Sequence, residues 1–123
     1  MDIVRVLMVA PVGNVETAVV WYEKLLGRPA DNRPMPSLAD WHLSTGGRLS
    51  VFEDAERAGS TLLNLEVPDL DEALAQLKER GLTAGPVQAG GTRTRFAALE
   101  DPDGNRVTVL ENPATCPLRQ HTP

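Results

Sequence analysis

The run from Ile3 to Ala10 is hydrophobic at every position except Arg5, and its residue types favour a β-strand. One face of this strand carries Val4, Val6, Met8 and Ala10, and the other carries Arg5, Leu7 and Val9. After a Pro-Val-Gly break the apolar spacing changes to that of a helix in NVETAVVWYEKLLG. Asn14 suits the N-cap of this helix and Gly27 its C-terminal stop.

The same strand-then-helix pattern returns from Thr61. The segment TLLNLEV predicts a strand with Leu63, Leu65 and Val67 on one face and Leu62, Asn64 and Glu66 on the other. DLDEALAQLKERG follows as a helix that begins with a capping box, Asp69 and Glu72, and ends at Gly81. The two N-caps lie 55 residues apart (14 and 69) and the two stop glycines 54 apart (27 and 81). The chain is therefore an internal repeat.

A loop and a β-hairpin are predicted after each helix. In the first half DWHLS and RLSVFED flank Thr45-Gly46-Gly47, and in the second TRTRFAALE and RVTVLE flank Asp-Pro-Asp-Gly-Asn at 101–105. Proline fixes φ at about −65°, glycine accepts positive φ, and Asp or Asn side chains bond their own backbone, so this second turn is a structural device. A further strand is predicted near Pro29–Asn32 and near Leu82–Val87, which makes each half β-α-β-β-β and the fold α+β.

Length and charge narrow the class of protein. The 123 residues suit one domain, taken as residues 1–112, with a proline-rich tail at 113–123. The net charge of −5 argues against a nucleic-acid partner and an anionic membrane surface. No apolar run approaches the length of a membrane span, and the N-terminus reads as a strand rather than a signal peptide. A single cysteine, Cys116, allows no intrachain disulfide and favours a cytoplasmic location.

Two such halves, with VETAVVWYEKLLG after the first strand and FAALEDPDGNRVTVLE at the end, resemble the vicinal oxygen chelate family. This family includes glyoxalase I, extradiol dioxygenases, fosfomycin-resistance enzymes and bleomycin-resistance proteins. The resemblance covers residues 3–112, as repeats at about 3–54 and 61–112. It implies a curled mixed sheet that forms a cup, and two halves that face each other either within one chain or across a homodimer.

The family's catalytic members hold a divalent metal in the cup, with ligands on the first and last strands of each half. Matching this chain to the family by its helix caps and final strands puts these positions at Leu7, Ser50, Leu62 and Thr108. Leucine has no donor atom, and neutral hydroxyls are poor substitutes for imidazole and carboxylate. The two histidines, His42 and His121, lie elsewhere. We therefore expect no metal and no cofactor.

Strand alternation separates residues of the core from residues of the cup. The ligand-binding candidates are Arg5, Leu7, Trp41, His42, Ser50, Phe52, Leu62, Asn64, Glu66, Phe96, Thr108 and Leu110. A three-residue loop at 45–47 would pair His42 with Ser50 and put Trp41 in the core, whereas a two-residue Gly46-Gly47 turn would reverse His42 and Trp41. The first option is preferred because it buries Trp41. Val4, Val6, Met8, Leu63, Leu65, Val67, Leu99, Val107 and Val109 are expected in the core.

Two classes of function fit this pattern. A metal-free cup with apolar walls is a pocket for an apolar or aromatic small molecule, as in a bleomycin-resistance-like protein that sequesters a drug. The alternative is a metal-independent isomerase, epimerase or lyase, with Glu66 or His42 as the general base. A metal-dependent lyase or dioxygenase is disfavoured by the missing ligands. A homodimer is expected, because each half exposes a sheet face and an edge.

Overall fold

A computed structural model describes residues 1–44, 47–91 and 93–112 of the chain. It divides into two compact units. The first consists of Met1–Leu63 together with Glu100–Arg106, and the second consists of Asn64–Leu99 together with the chain from residue 107 on. The predicted α+β class and the two βαβββ-type repeats are confirmed, as two four-stranded sheets with one helix each. No helix among the described residues is long and apolar enough to cross a membrane.

The first sheet has the strand order β1-β4-β3-β2. Its elements are β1 (Val6–Val12), α1 (Val15–Leu26), β2 (Asn32–Met35), β3 (Leu38–Ser44) and β4 (Gly47–Glu53). Strand β1 runs parallel to β4, and β3 runs antiparallel to both β4 and β2. Helix α1 packs on β3 and β4. The buried face of these strands carries Ala39, Trp41, Leu49 and Val51, each with no exposed surface.

The second sheet has the strand order β5-β8-β7-β6. Its elements are β5 (Leu62–Glu66), α2 (Leu70–Glu79), β6 (Gln88–Ala89), β7 (Arg95–Glu100) and β8 (Arg106–Glu111). The buried residues alternate along β7 and β8, as predicted for Leu99, Val107 and Val109. The sheet order thus repeats that of the first half.

Both helices begin at the predicted caps. The Asn14 side chain accepts a hydrogen bond from the Thr17 amide, and the Asp69 side chain accepts one from the Glu72 amide. A glutamate at the end of each hairpin adds a second cap. Glu53 Oε1 accepts from the Val15 amide at 3.0 Å, and Glu111 Oε1 accepts from the Leu70 amide at 2.9 Å. Each half therefore ties its last strand to the N-terminus of its own helix, where negative charge is favourable.

The turn at 101–105 is buried within the first unit. Asp101 accepts four hydrogen bonds, from the Tyr22 hydroxyl at 2.7 Å, from the amides of Asp103 and Asn105, and from the Asn105 side-chain nitrogen. Asn105 has no exposed surface; its side chain also donates to the Pro11 carbonyl at 2.8 Å and accepts from the Thr61 amide at 3.0 Å. The turn is therefore a hub that joins β1, α1 and the start of β5.

Several predicted details are wrong. The second strands were expected near Pro29–Asn32 and Leu82–Val87, but they form at Asn32–Met35 and Gln88–Ala89. Both are edge strands, and edge strands are placed by their partners rather than by their own sequence. Val4 and Val6 were expected in the core but are 80% and 64% exposed. Strand β1 runs on to Val12, and the buried part of that face begins only at Ala10.

The predicted hairpin register is wrong by two residues. His42 lies opposite Arg48, and Asp40 lies opposite Ser50. Because a shift of two residues keeps every side chain on its face, the preferred orientation is still confirmed, with Trp41 buried opposite Leu49. Leu65, Val67 and Met8 are only partly buried. Thr45, Gly46 and the tail from 113 to 123, with Cys116 and His121, lie outside the described residues.

Candidate functional site

Three cross-strand rows make up the face of the first sheet that is turned away from Trp41 and Leu49. We call it the open face of the first sheet. Directly paired residues of neighbouring strands point to the same side, so the register defines the rows. From one end to the other they are Leu7–Arg48–His42, Val9–Ser50–Asp40 and Pro11–Phe52–Leu38.

The middle row holds a buried polar pair. Ser50 Oγ donates a hydrogen bond to Asp40 Oδ1 at 2.7 Å, and each of the two residues is only 5% exposed. Among the described residues no cation forms an ion pair with Asp40. A charged carboxylate at the centre of a sheet, with one neutral partner, is a site that can accept further hydrogen bonds.

Apolar side chains flank this pair. Leu7 is 50% exposed and Val9 47% exposed, and Phe52 is half-buried. Exposed aliphatic side chains on one face of a sheet are a favourable wall for an apolar ligand. The open face of the first sheet therefore combines a polar centre with an apolar margin.

His42 lies at the exposed end of this face. Its backbone amide donates to Asp31 Oδ2 at 2.7 Å, and its carbonyl accepts from the Arg28 guanidinium. Arg28 also pairs with Asp31 at 2.9 Å. The backbone hydrogen bond from His42, with Arg28 as a smaller contribution, holds the pKa of Asp31 below its ordinary value. The backbone around His42 is thus fixed.

Trp41 lies on the opposite, buried face. It has no exposed surface, and its indole Nε1 donates to the Arg28 carbonyl at 3.0 Å. Its ring centroid lies 6.2 Å from that of Tyr22, which is also fully buried. Trp41 is therefore a core residue that cannot touch a ligand on the open face, unlike the other candidates of this sheet.

The other candidates, except Arg5, lie on the second sheet. Leu62, Asn64 and Glu66 alternate with Leu63 along β5 and are exposed, Leu62 at 74%. Thr108 and Leu110 alternate with the buried Val107 and Val109 along β8 and are half-buried. Phe96, also half-buried, lies opposite Gln88. Arg5 precedes β1 and is exposed. This second face is thus also apolar at its margin, with an amide, a hydroxyl and a carboxylate.

The four positions that correspond to the family's metal ligands do not fit a divalent metal. Leu7 and Leu62 offer no donor atom, and the hydroxyl hydrogen of Ser50 is directed at Asp40. Thr108 offers a neutral hydroxyl in place of a carboxylate. Among the described residues no group of three or more His, Cys, Asp or Glu side chains could hold a metal ion.

The fold and the donor set define a glyoxalase/bleomycin-resistance type of protein whose metal positions carry leucine and hydroxyl residues. A family model described as a glyoxalase-like domain matches residues 7–110. The chain therefore belongs to the glyoxalase-like family, within the vicinal oxygen chelate superfamily.

Solved structures agree with this assignment. A glyoxalase/bleomycin resistance protein from Catenulispora acidiphila DSM 44928 is 31% identical, with a TM-score of 0.83 over 89% of this chain and 98% of that one. An antibiotic-binding protein from Streptomyces sp. CB03234 is 26% identical, with a TM-score of 0.69 over 90% and 98% of the two chains. A bleomycin-binding protein solved with bleomycin is 20% identical, with a TM-score of 0.73 over 91% and 99%, which supports the fold alone. No curated protein matches the chain.

Sequence reasoning missed Asp40 and Arg48. Both belong to the same face as His42 and Ser50 once the register is known. The alternation in LADWHLS already put Asp40 on the side of His42, and this signal was available from sequence. The pairing that brings Asp40 against Ser50 was not.

Proposed function

We propose that the protein binds an apolar or aromatic small molecule without a metal, in the manner of a drug-sequestering protein. The observation that carries the proposal is the open face of the first sheet, where the exposed aliphatic residues Leu7 and Val9 lie beside a buried carboxylate–hydroxyl pair. The similarity to an antibiotic-binding protein supports it. The second sheet carries a separate candidate surface, on which Phe96 and Leu110 offer apolar contacts and Asn64, Glu66 and Thr108 polar ones.

Native mass spectrometry tests this proposal directly. Purified protein is incubated with an extract of its host, and retained compounds are released by denaturation and identified. Binding without catalysis predicts that the compound is recovered unchanged after prolonged incubation. A converted compound would instead favour the metal-independent isomerase, epimerase or lyase, with Glu66 or His42 as the general base. Either Glu66→Gln or His42→Gln, whichever removes the base, would then stop conversion while binding persists.

The absence of a metal requirement has its own test. Elemental analysis of tag-free protein should find much less than one equivalent of zinc, nickel, iron or manganese per chain, and chelator treatment should leave ligand binding unchanged. The reason is that Leu7 and Leu62 have no donor atom, so no change of conformation could make either of them a metal ligand. One equivalent of metal that is lost together with binding would contradict the proposal.

We also propose a homodimer in the cytoplasm. Strand β1 is an edge strand; Val6 at its start is 64% exposed, and Ile3 and Val4, which precede it, are 68% and 80% exposed. An exposed edge with apolar side chains on both faces favours a second copy. Sedimentation at micromolar concentration should give a dimer that Val4→Lys weakens. Val20→Lys, at a helix position that is 54% exposed, is the matched control and should leave the dimer intact.

A further inference from the structure

We infer that Asp40, oriented by Ser50, is the anchor for a positively charged N–H donor of the ligand, such as an ammonium or amidinium group. The inference rests on the proposed function and deepens it, because it names the residue and the ligand chemistry. Asp40 has a side chain with two acceptor oxygens and only one bonded donor among the described residues.

The second oxygen of Asp40 has no donor among the described residues. Among the described residues no fully buried side-chain nitrogen or oxygen lacks a hydrogen-bond partner. Asp40 Oδ2 has no hydrogen-bond donor among the described residues, and the residue as a whole is 5% exposed. Ser50 directs its only hydroxyl hydrogen to Oδ1 and so fixes the orientation of the carboxylate. One oxygen is held by Ser50, and the other can accept a hydrogen bond from a ligand.

Burial gives this carboxylate a strong preference for a cation. An ionised group taken out of water is stabilised when an opposite charge reaches it, and the interaction is stronger than in bulk water. Hydrogen bonds from a charged donor to a charged acceptor are also about twice as strong as neutral ones. A ligand with an ammonium or amidinium group therefore gains more at Asp40 than a neutral amide does.

The neighbouring rows indicate how such a ligand would lie. Arg48 occupies the row on one side and does not pair with Asp40, so it repels a cationic group that approaches from that side. Phe52 and Leu38 occupy the row on the other side. The charged nitrogen would reach Asp40 while the apolar body packs over Phe52, because that direction is both apolar and farther from Arg48.

Three benzene derivatives of nearly equal size provide the probes: benzamidine, which is cationic, benzamide, which is neutral, and benzoate, which is anionic. Each is titrated into ¹⁵N-labelled protein, and Kd is taken from the amide shifts of strands β3 and β4. We expect benzamidine to bind about tenfold more tightly than benzamide, since a hydrogen bond between charged partners stabilises more than a neutral one. Benzoate should bind most weakly.

Variants locate the effect at one carboxylate. Asp40→Asn should lower benzamidine affinity to that of benzamide and change benzamide affinity by less than about twofold. Glu56→Gln removes the same charge from an exposed loop position of the same unit and should change neither Kd. Ser50→Ala keeps the carboxylate and should keep the preference for benzamidine, which provides a second variant if Asp40→Asn does not fold.

Each other outcome is decisive. Equal binding of benzamidine and benzamide to the wild type, or a preference that survives in folded Asp40→Asn, would overturn the inference while leaving the proposed function standing. If benzoate bound most tightly, Arg48 rather than Asp40 would be the anchor, and the inference would be overturned as well. No shift with any probe would count against the inference and against the proposed binding face together.

Discussion

A change of one atom in the buried turn tests the hub around Asn105. In Asn105→Asp the side-chain nitrogen becomes an oxygen. In the wild type this nitrogen donates to the Pro11 carbonyl and to Asp101 Oδ2, both at 2.8 Å. Two attractive contacts between donor and acceptor thus become two contacts between acceptors. The bond accepted from the Thr61 amide can remain, so size and shape are almost unchanged.

The expected loss of stability is large. Each of the two lost hydrogen bonds contributes about 1 kcal/mol, and the bond to a charged acceptor contributes more. A second carboxylate buried beside Asp101 adds a further penalty, and uncompensated buried charges typically cost about 3–5 kcal/mol. We therefore expect a loss of about 5 kcal/mol or more in the free energy of unfolding at pH 7. This is a large part of the roughly 5–15 kcal/mol that stabilises a domain.

The pH dependence identifies the cause. Burial and the Asp101 charge raise the pKa of the new carboxyl in the folded state. A group whose pKa is raised on folding favours the folded state when it is protonated. The loss of stability should therefore shrink as the pH falls from 7 towards 5 and grow as it rises.

Urea denaturation at several pH values, followed by tryptophan fluorescence, measures both effects. Asn14→Asp, the same chemical change at an exposed helix N-cap, should be neutral or slightly stabilising because Asp and Asn are equivalent caps. If Asn105→Asp unfolds within about 1 kcal/mol of the wild type at pH 7, or shows no pH dependence beyond that of the control, the buried hub does not exist as described.

Five further substitutions, in three groups, test other parts of the structure by thermal or urea denaturation. Tyr22→Phe should lower the free energy of unfolding by about 1–2 kcal/mol. Burial, and then the hydrogen bond to Asp101, raise the pKa of Tyr22 in the folded state, so this contribution should persist below pH 10, the ordinary tyrosine value, and decline above it. An equal difference between wild type and variant at pH 7 and pH 11 would contradict the assignment. Gly59→Ala should cost about 2–4 kcal/mol, since φ at Gly59 is +83° and the new Cβ would lie 2.2 Å from a backbone oxygen. Gly81→Ala is the control: φ is +89° but the space around the new Cβ is open, so the cost should be about 1–2 kcal/mol. Equal costs would refute the close approach at Gly59. Glu53→Gln and Glu111→Gln should each lose about 0.3–1 kcal/mol, and a loss in only one of them would show that the two helix caps are not equivalent.

Local features of the fold were predictable from sequence. The caps Asn14 and Asp69 and the stop at Gly27 depend on residues within one turn of the chain, so their signals are complete in a short segment. The extent of the core was not predictable in the same way. Alternation assigned Val6 to a face, but whether that part of the face is covered depends on where the helix packs.

Contacts between residues that are far apart in the sequence could not be predicted. Tyr22 and Asp101 are 79 residues apart, and no pattern along the chain marks them as partners. The same holds for Glu53 and the Val15 amide, 38 residues apart. Asp40 is an intermediate case, because its face followed from alternation while its partner Ser50 depended on a register that a loop of unknown length left open.

The buried turn also bears on how the protein is made. Translation runs from the N-terminus, and the repeat in the sequence suggests that the first half could fold as soon as it leaves the ribosome. Yet the first compact unit includes Glu100–Arg106. Until Asp101 and Asn105 have been synthesised, the Tyr22 hydroxyl lacks its acceptor and the Pro11 carbonyl lacks its donor. The first compact unit therefore cannot be completed until most of the second half has been synthesised. A message truncated between the repeats would yield an incomplete first unit rather than a half-sized protein.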